Sequence, residues 1–137
     1  MSSEDNILKN YKVVAVVGLS SNPERASYQV AEYLKDNGYK IIPVNPNEKE
    51  VLGEVCYPDL ASVPEPVEVI DIFRKSADVP PIVEQAVKIG AKAVWMQEGV
   101  INQEAADYAE KAGLEVVMDQ CMRKHLYRIL SVDEEYK

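Results

Sequence analysis

The residues of this chain best suited to chemistry are Gly18, Ser20, Ser21 and Arg25, in the stretch VVAVVGLSSNPERAS, residues 13–27. An apolar run ends in one glycine, followed by hydroxyls and a cation at the mouth of a helix. These are the parts of an anion seat. The unpaired N–H groups and positive dipole end of a helix N-terminus hold phosphate. A glycine lets the backbone bend and lets a ligand approach with no Cβ in the way. Dinucleotide-binding loops carry about three glycines. Here Gly18 stands without the other two, and Ser20, Ser21 and Arg25 offer hydroxyls and a charge where bare backbone would be expected. The same residues also read as an ordinary strand-end turn with Ser27 as a helix cap, and the spacing leaves both open.

The end of the second apolar run narrows the ligand. An NAD-binding domain places Asp or Glu there to hold the ribose hydroxyls. This chain has Val44, Asn45, Pro46 and Asn47, with Glu48 only afterwards. A neutral tip argues against NAD and tolerates a phosphate near the ribose. Arg74 and Lys75 are the next sources of positive potential, which an anionic ligand needs in an acidic protein. Cys121 and His125 stand four apart and would share a helical face, but a nucleophilic thiolate also needs an orienting third group. Asp71 is a carboxylate inside an apolar run and Trp95 an aromatic inside another. Structural roles suit both: a hydrogen-bonded acid and a core side chain.

Composition bounds the function classes. The 137 residues carry a formal charge of −8, which disfavours a protein built to neutralise a nucleic-acid backbone. Cys56 and Cys121 are the only cysteines and form no CxxC pair, so neither a metal site nor a redox dithiol is signalled. MSSEDNILKN is polar and acidic rather than a leader, and no apolar run is long enough to span a bilayer. A cytoplasmic protein with reduced thiols is expected.

Five apolar runs must position these groups: KVVAVVG (12–18), YKIIPVN (39–45), VEVIDIF (67–73), AKAVWMQ (91–97) and LEVVMD (114–119). Near-continuous apolarity suits parallel strands covered on both faces. Helical periods lie between them. SYQVAEYLKDNG sets Val30, Tyr33 and Leu34 on one stripe and stops at Gly38; DVPPIVEQAVKIG stops at Gly90 and NQEAADYAEKAG at Gly113. The connection 46–66 has no long period and reads as an irregular crossover with one helical turn near Asp59 to Ser62. CMRKHLYRIL suits a short closing helix, and both termini are expected to be flexible outside a core of about residues 12–130. The alternation predicts a single α/β domain, Rossmann-like and doubly wound, with a five-stranded parallel sheet in the order 3-2-1-4-5 and helices on both faces. That order puts the switch point between the first and fourth strands, over the loops beginning at Gly18 and Gln97.

Four stretches in register, VVGLSSNPERAS, IIPVNPN, VIDIFRKS and VWMQEGVINQEAADYAEKAGLEVVMDQC, resemble the small single-domain CoA-binding proteins. These are relatives of the amino-terminal domain of the succinyl-CoA synthetase alpha subunit, and the likeness runs from Val13 to Leu130. It implies a domain that binds coenzyme A or an acyl-CoA, with no catalytic residue and no metal. The phosphate loop it implies is Gly18, Leu19, Ser20, Ser21, Pro23, Arg25 and Ser27, with Asn45 and Pro46 bordering the nucleotide. Phe73 and Arg74 would complete the site from the third strand, and Met96, Gln97, Glu98 and Gly99 from the fourth. An acidic–His pair common in the family falls here on His125 and Leu126, so its role does not transfer. Ligase activity does not transfer either, because the phosphorylated histidine of the synthetase lies in a further domain. A homodimer is possible. The alternatives are an NAD(P)-dependent oxidoreductase and a nucleotide-sensing regulatory protein using the same crevice.

Overall fold

Val13–Val17 (β1), Lys40–Val44 (β2), Val69–Ile72 (β5), Ala93–Met96 (β6) and Glu115–Val117 (β7) form one parallel sheet in a computed structural model that describes residues 2–135. Each strand is one of the five apolar runs. Helices α2 (Ala26–Asp36), α3 (Val79–Lys88) and α4 (Gln103–Lys111) fill the connections, and α5 (Met122–Glu135) closes the chain. Gly38, Gly90 and Gly113 each follow a helix end with positive φ, the role expected of them. The α/β Rossmann-like class stands as read.

The strand order is corrected. The sheet runs β2-β1-β5-β6-β7, so the third core strand lies beside the first and not outside the second. Two features explain this. Pro43 in β2 has no N–H to give a second neighbour, which suits an edge. Its outer flank takes an isolated bridge from Val44 to Tyr57, with Tyr57 N–H donating to Pro43 O at 3.0 Å and Asn45 N–H to Tyr57 O at 2.9 Å. All four residues of β5 are buried, as a strand paired on both sides requires. The switch point therefore lies between β1 and β5, over the loops beginning at Gly18 and Phe73. Gln97 is one strand further along.

The crossover 45–68 makes this reversal. It holds a two-residue hairpin, β3 (Glu50–Val51) with β4 (Glu54–Val55), and a 3-10 turn at Leu60–Ser62 capped by Asp59, where the helical turn was expected. Alternation along the strands then divides the core. Ala15, Val17, Ile70, Ile72, Val94 and Met96 face α3 and α4. Val14, Val16, Val69 and Trp95 face α2 and α5.

The amino-terminal end is also corrected. Ser3–Asn10 form helix α1, with Ser2 Oγ accepting the Asp5 N–H at 3.2 Å and Glu4 and Asp5 in the first turn. Ile7 and Leu8 are fully buried against the α2/α5 face. Tyr39 Oη donates to Leu8 O, and Asn6 Nδ2 donates to Glu115 Oε1 at 2.6 Å. The sequence offered only that one apolar pair, too little for a period. At the other end α5 continues through Glu135, past the Leu130 boundary, and Tyr136 and Lys137 lie outside the described residues.

Candidate functional site

Gly18 ends β1 with φ +89° and gives its N–H to Val44 O at 2.8 Å. A Cβ built there would collide with the Phe73 carbonyl oxygen and lie 3.1 Å from Arg74 Cδ. The glycine is therefore fixed by two things: a left-handed backbone and the close approach of the β5 end. That approach puts the two switch-point loops side by side. Their contact divides two clefts of about 370 Å³ each. One lies against the start of α2, between Gly18, Ser20, Arg25, Ser27 and Phe73. The other lies on the α3 side, walled by Pro46, Pro58, Leu60, Arg74 and Ile82.

The loop into α2 is held by its own polar groups. Ser20 gives its N–H to Ser27 Oγ at 3.0 Å, and its own Oγ accepts the Asn22 N–H at 3.1 Å. Ser27 is thus a buried brace across the loop and not the helix cap. The N-cap is Arg25, which makes no side-chain cap bond, so the first-turn amides of α2 have no capping side chain. Asn45 Nδ2 donates to Leu19 O at 3.0 Å, which ties the end of β2 to the same loop. Ser27→Ala should leave the Ser20 N–H without its acceptor and cost about 1 kcal/mol. Urea unfolding checks this: a loss well under 0.5 kcal/mol would mean that water replaces the brace, the roughly neutral outcome for a solvated group.

The structure sorts the expected residues. Gly18, Ser20, Arg25, Ser27, Pro46, Phe73 and Arg74 line the two clefts. Ser21 and Pro23 are exposed on the same loop. Leu19 and Met96 are fully buried, their side chains in opposite layers of the core, and cannot present a side chain to a ligand. Gln97 also turns inward, its Nε2 donating to Asp71 Oδ1 at 2.8 Å. Glu98 and Gly99 lie at the surface. Glu98 holds Lys124 Nζ at 3.0 Å, and Gly99 gives its N–H to Asp119 Oδ1 at 2.7 Å. The β6 loop is therefore pinned from β5, from α5 and from Asp119, a residue at φ +60°. The Pro58–Leu60 wall was also missed, because nothing in an irregular crossover marks which residues will face a cleft.

Charge and acidity follow from these positions. Arg74 leans over Gly18 and reaches Asp78 Oδ2 at 3.4 Å, a half-exposed pair of small energetic weight. His125 does not serve Cys121. Its Nε2 meets Asp5 Oδ1 at 3.0 Å and its ring stands edge-on to Trp95 at 6.2 Å, which ties α5 to α1. Both cysteines are free thiols, and burial pushes Cys56 up. Asp71 is fully buried with Oδ2 unpartnered, and desolvation pushes its carboxyl up to about 7 against the lowering effect of the Gln97 hydrogen bond. Among the described residues, no helix is long and apolar enough to cross a membrane.

A parallel doubly wound sheet whose first and third core strands meet beneath an uncapped helix N-terminus defines a Rossmann-like domain. The chain belongs to the CoA binding domain family, whose model matches residues 12–126. It is 38% identical over 117 residues to the protein YneT of Bacillus subtilis, covering 85% of this chain and 87% of that one. A solved structure of a hypothetical protein from Pyrococcus horikoshii OT3 superposes with a TM-score of 0.90 at 44% identity, over 95% of this chain and 93% of that chain. A more distant likeness, 27% identity over 121 residues, is to the ADP-forming acetate–CoA ligase I of Archaeoglobus fulgidus; it spans 81% of this chain but 18% of the ligase.

Proposed function

We propose that this chain binds coenzyme A or an acyl-CoA in the crevice between β1 and β5, as a binding module without chemistry of its own. One observation carries the reading: Gly18 borders both clefts, with Arg25 in one and Arg74 in the other. A diphosphate over Gly18 would lie between two guanidinium groups at the amides that begin α2. The adenosine end suits the cleft walled by Pro46, Pro58, Leu60 and Ile82, whose apolar faces can sandwich a base. Family membership and the likeness to a protein named as a CoA ligase support the same ligand. The reading places the protein in the cytoplasm, where both thiols stay reduced.

Thermal shifts with coenzyme A, acetyl-CoA, NAD and NADP test this. A ligand at about 100 times its Kd stabilises by about 2.7 kcal/mol, so the coenzyme A species should raise Tm clearly and the dinucleotides should not. Arg25→Ala and Arg74→Ala should each weaken coenzyme A binding about tenfold, the loss of one charge-assisted contact of about 1.5 kcal/mol. If both variants bind as tightly as the parent, the diphosphate does not lie between them.

A further inference from the structure

The phosphate cleft has a neighbour at the start of α2. Ala26, in the first turn, lines that cleft and also a larger groove of about 550 Å³. This groove runs between α2 and α5. Its apolar lining comes from Val30, Tyr33, Cys121 and Tyr127. Glu98, Arg123 and Lys124 bring charge to the same lining. Lys124 is held by both oxygens of Glu98 at 3.0 Å, and the Arg123 guanidinium sits 5.6 Å from the centre of the Tyr33 ring. Tyr127 is 63% exposed, a large aromatic that its own fold does not cover.

We infer that the groove between α2 and α5 is a subsite for the acyl group of an acyl-CoA, and that an apolar acyl chain longer than acetyl is its occupant. The inference rests on the coenzyme A reading, which fixes the diphosphate at Gly18. With the base in the cleft beside α3, the pantetheine arm leaves the diphosphate on the opposite side, toward Ala26. Ala26 borders both cavities, so the end of that arm would pass it into the groove that Glu98 and Lys124 also line. The polar thioester then meets the Glu98–Lys124 pair, and the chain beyond it meets Val30 and the two tyrosine rings. A groove of this size, with apolar walls and a few polar groups at its edge, has the make-up of a ligand pocket. Free coenzyme A would leave it empty.

Calorimetric titration with acetyl-CoA and octanoyl-CoA distinguishes the possibilities. Each methylene taken from water contributes about 0.8 kcal/mol when fully buried, so even half-burial of the added chain gives octanoyl-CoA at least a tenfold advantage. Tyr127→Ala, at an exposed position that spares the fold, should cut that advantage at least threefold and leave acetyl-CoA affinity unchanged; Tyr127→Phe should restore it. Octanoyl-CoA should also slow alkylation of Cys121 by N-ethylmaleimide more than acetyl-CoA does at equal site occupancy, with the labelled residue located by mass spectrometry. Equal affinities for the two thioesters overturn the inference and leave the coenzyme A reading intact. An octanoyl preference that survives Tyr127→Ala, with no shielding of Cys121, places the chain elsewhere and overturns it too. If neither thioester nor coenzyme A binds, the functional reading itself fails and takes the subsite with it.

Discussion

Gly18→Ala should lose about 3 kcal/mol or more of stability and at least a tenfold in coenzyme A affinity, while Gly90→Ala loses only about 1 kcal/mol and binds normally. Both glycines hold positive φ, at +89° and +79°. Both substitutions therefore incur the left-handed strain of an L-residue, about 1–2 kcal/mol. Surroundings separate them. Nothing lies within 4 Å of a Cβ at Gly90, whereas at Gly18 the Cβ would press on the Phe73 carbonyl. A backbone oxygen cannot rotate away as a side chain can. Accommodating the methyl means parting the ends of β1 and β5, an overpacking cost of about 1–3 kcal/mol beyond the strain. The same parting displaces Arg74, whose Cδ lies 3.1 Å from the new atom, and deforms both clefts. Denaturant midpoints with unchanged m-values give the two losses. Equal losses at the two positions would show that the β1–β5 end yields easily and that Gly18 is required only for its φ.

What the sequence revealed follows from how local each determinant is. The five core runs, the three glycine helix stops and the Asp59-capped turn are written in neighbouring residues, and all stand where expected. Strand order is not local. Pro43 carried the hint that β2 is an edge, but a proline in a strand tells which side is unpaired only once the neighbours are known. Of the candidate site, residues on the Gly18 loop and at Phe73 and Arg74 do gather at the switch point. Met96 and Gln97 follow the alternation of β6, while the left-handed turn at Gly18 sends Leu19 into the layer opposite Val17, and all three turn into the core. Helix α1 was invisible for a different reason. Its two anchors, Ile7 and Leu8, are adjacent, and its other ties reach Tyr39, Glu115 and His125, far along the chain. A helix held by such remote partners leaves almost no period to detect.

Asp71 sets the second large effect, a stability that falls as pH rises. Its carboxyl stands at about 7 in the folded protein against an ordinary 3.8, because burial disfavours the charged form more than the Gln97 hydrogen bond favours it. Between those values the native state keeps a proton that the unfolded chain has released. Stability therefore decreases with pH across this window, from full strength below about pH 4 to its lower plateau above about pH 7. The rise from 3.8 to about 7 corresponds to about 4 kcal/mol as an upper bound, at roughly 1.36 kcal/mol for each pH unit. No lysine, arginine or histidine pairs with Asp71 among the described residues: its strand neighbours are Val16 and Trp95, and its hydrogen-bond partner is the Gln97 amide. Other carboxylates titrate in the same range, so the variant must be compared with the parent at each pH. In Asp71→Asn the amide oxygen can still accept from Gln97, but the amide nitrogen takes the place of the unpartnered Oδ2, a cost of about 1–3 kcal/mol that does not vary with pH. At pH 4, where the parent has lost little of this stability, the variant should therefore be the less stable protein. At pH 8 the parent holds a buried charge, and the order reverses by about 1–2 kcal/mol. Urea unfolding at the two pH values reads this crossing directly, and a difference that stays constant from pH 4 to pH 8 would mean that Asp71 is already ionised, or reached by water, in the native protein. A crossing would locate the tension in this sheet: the carboxyl that holds Gln97, and through it the start of the β6 loop, destabilises the fold above neutrality.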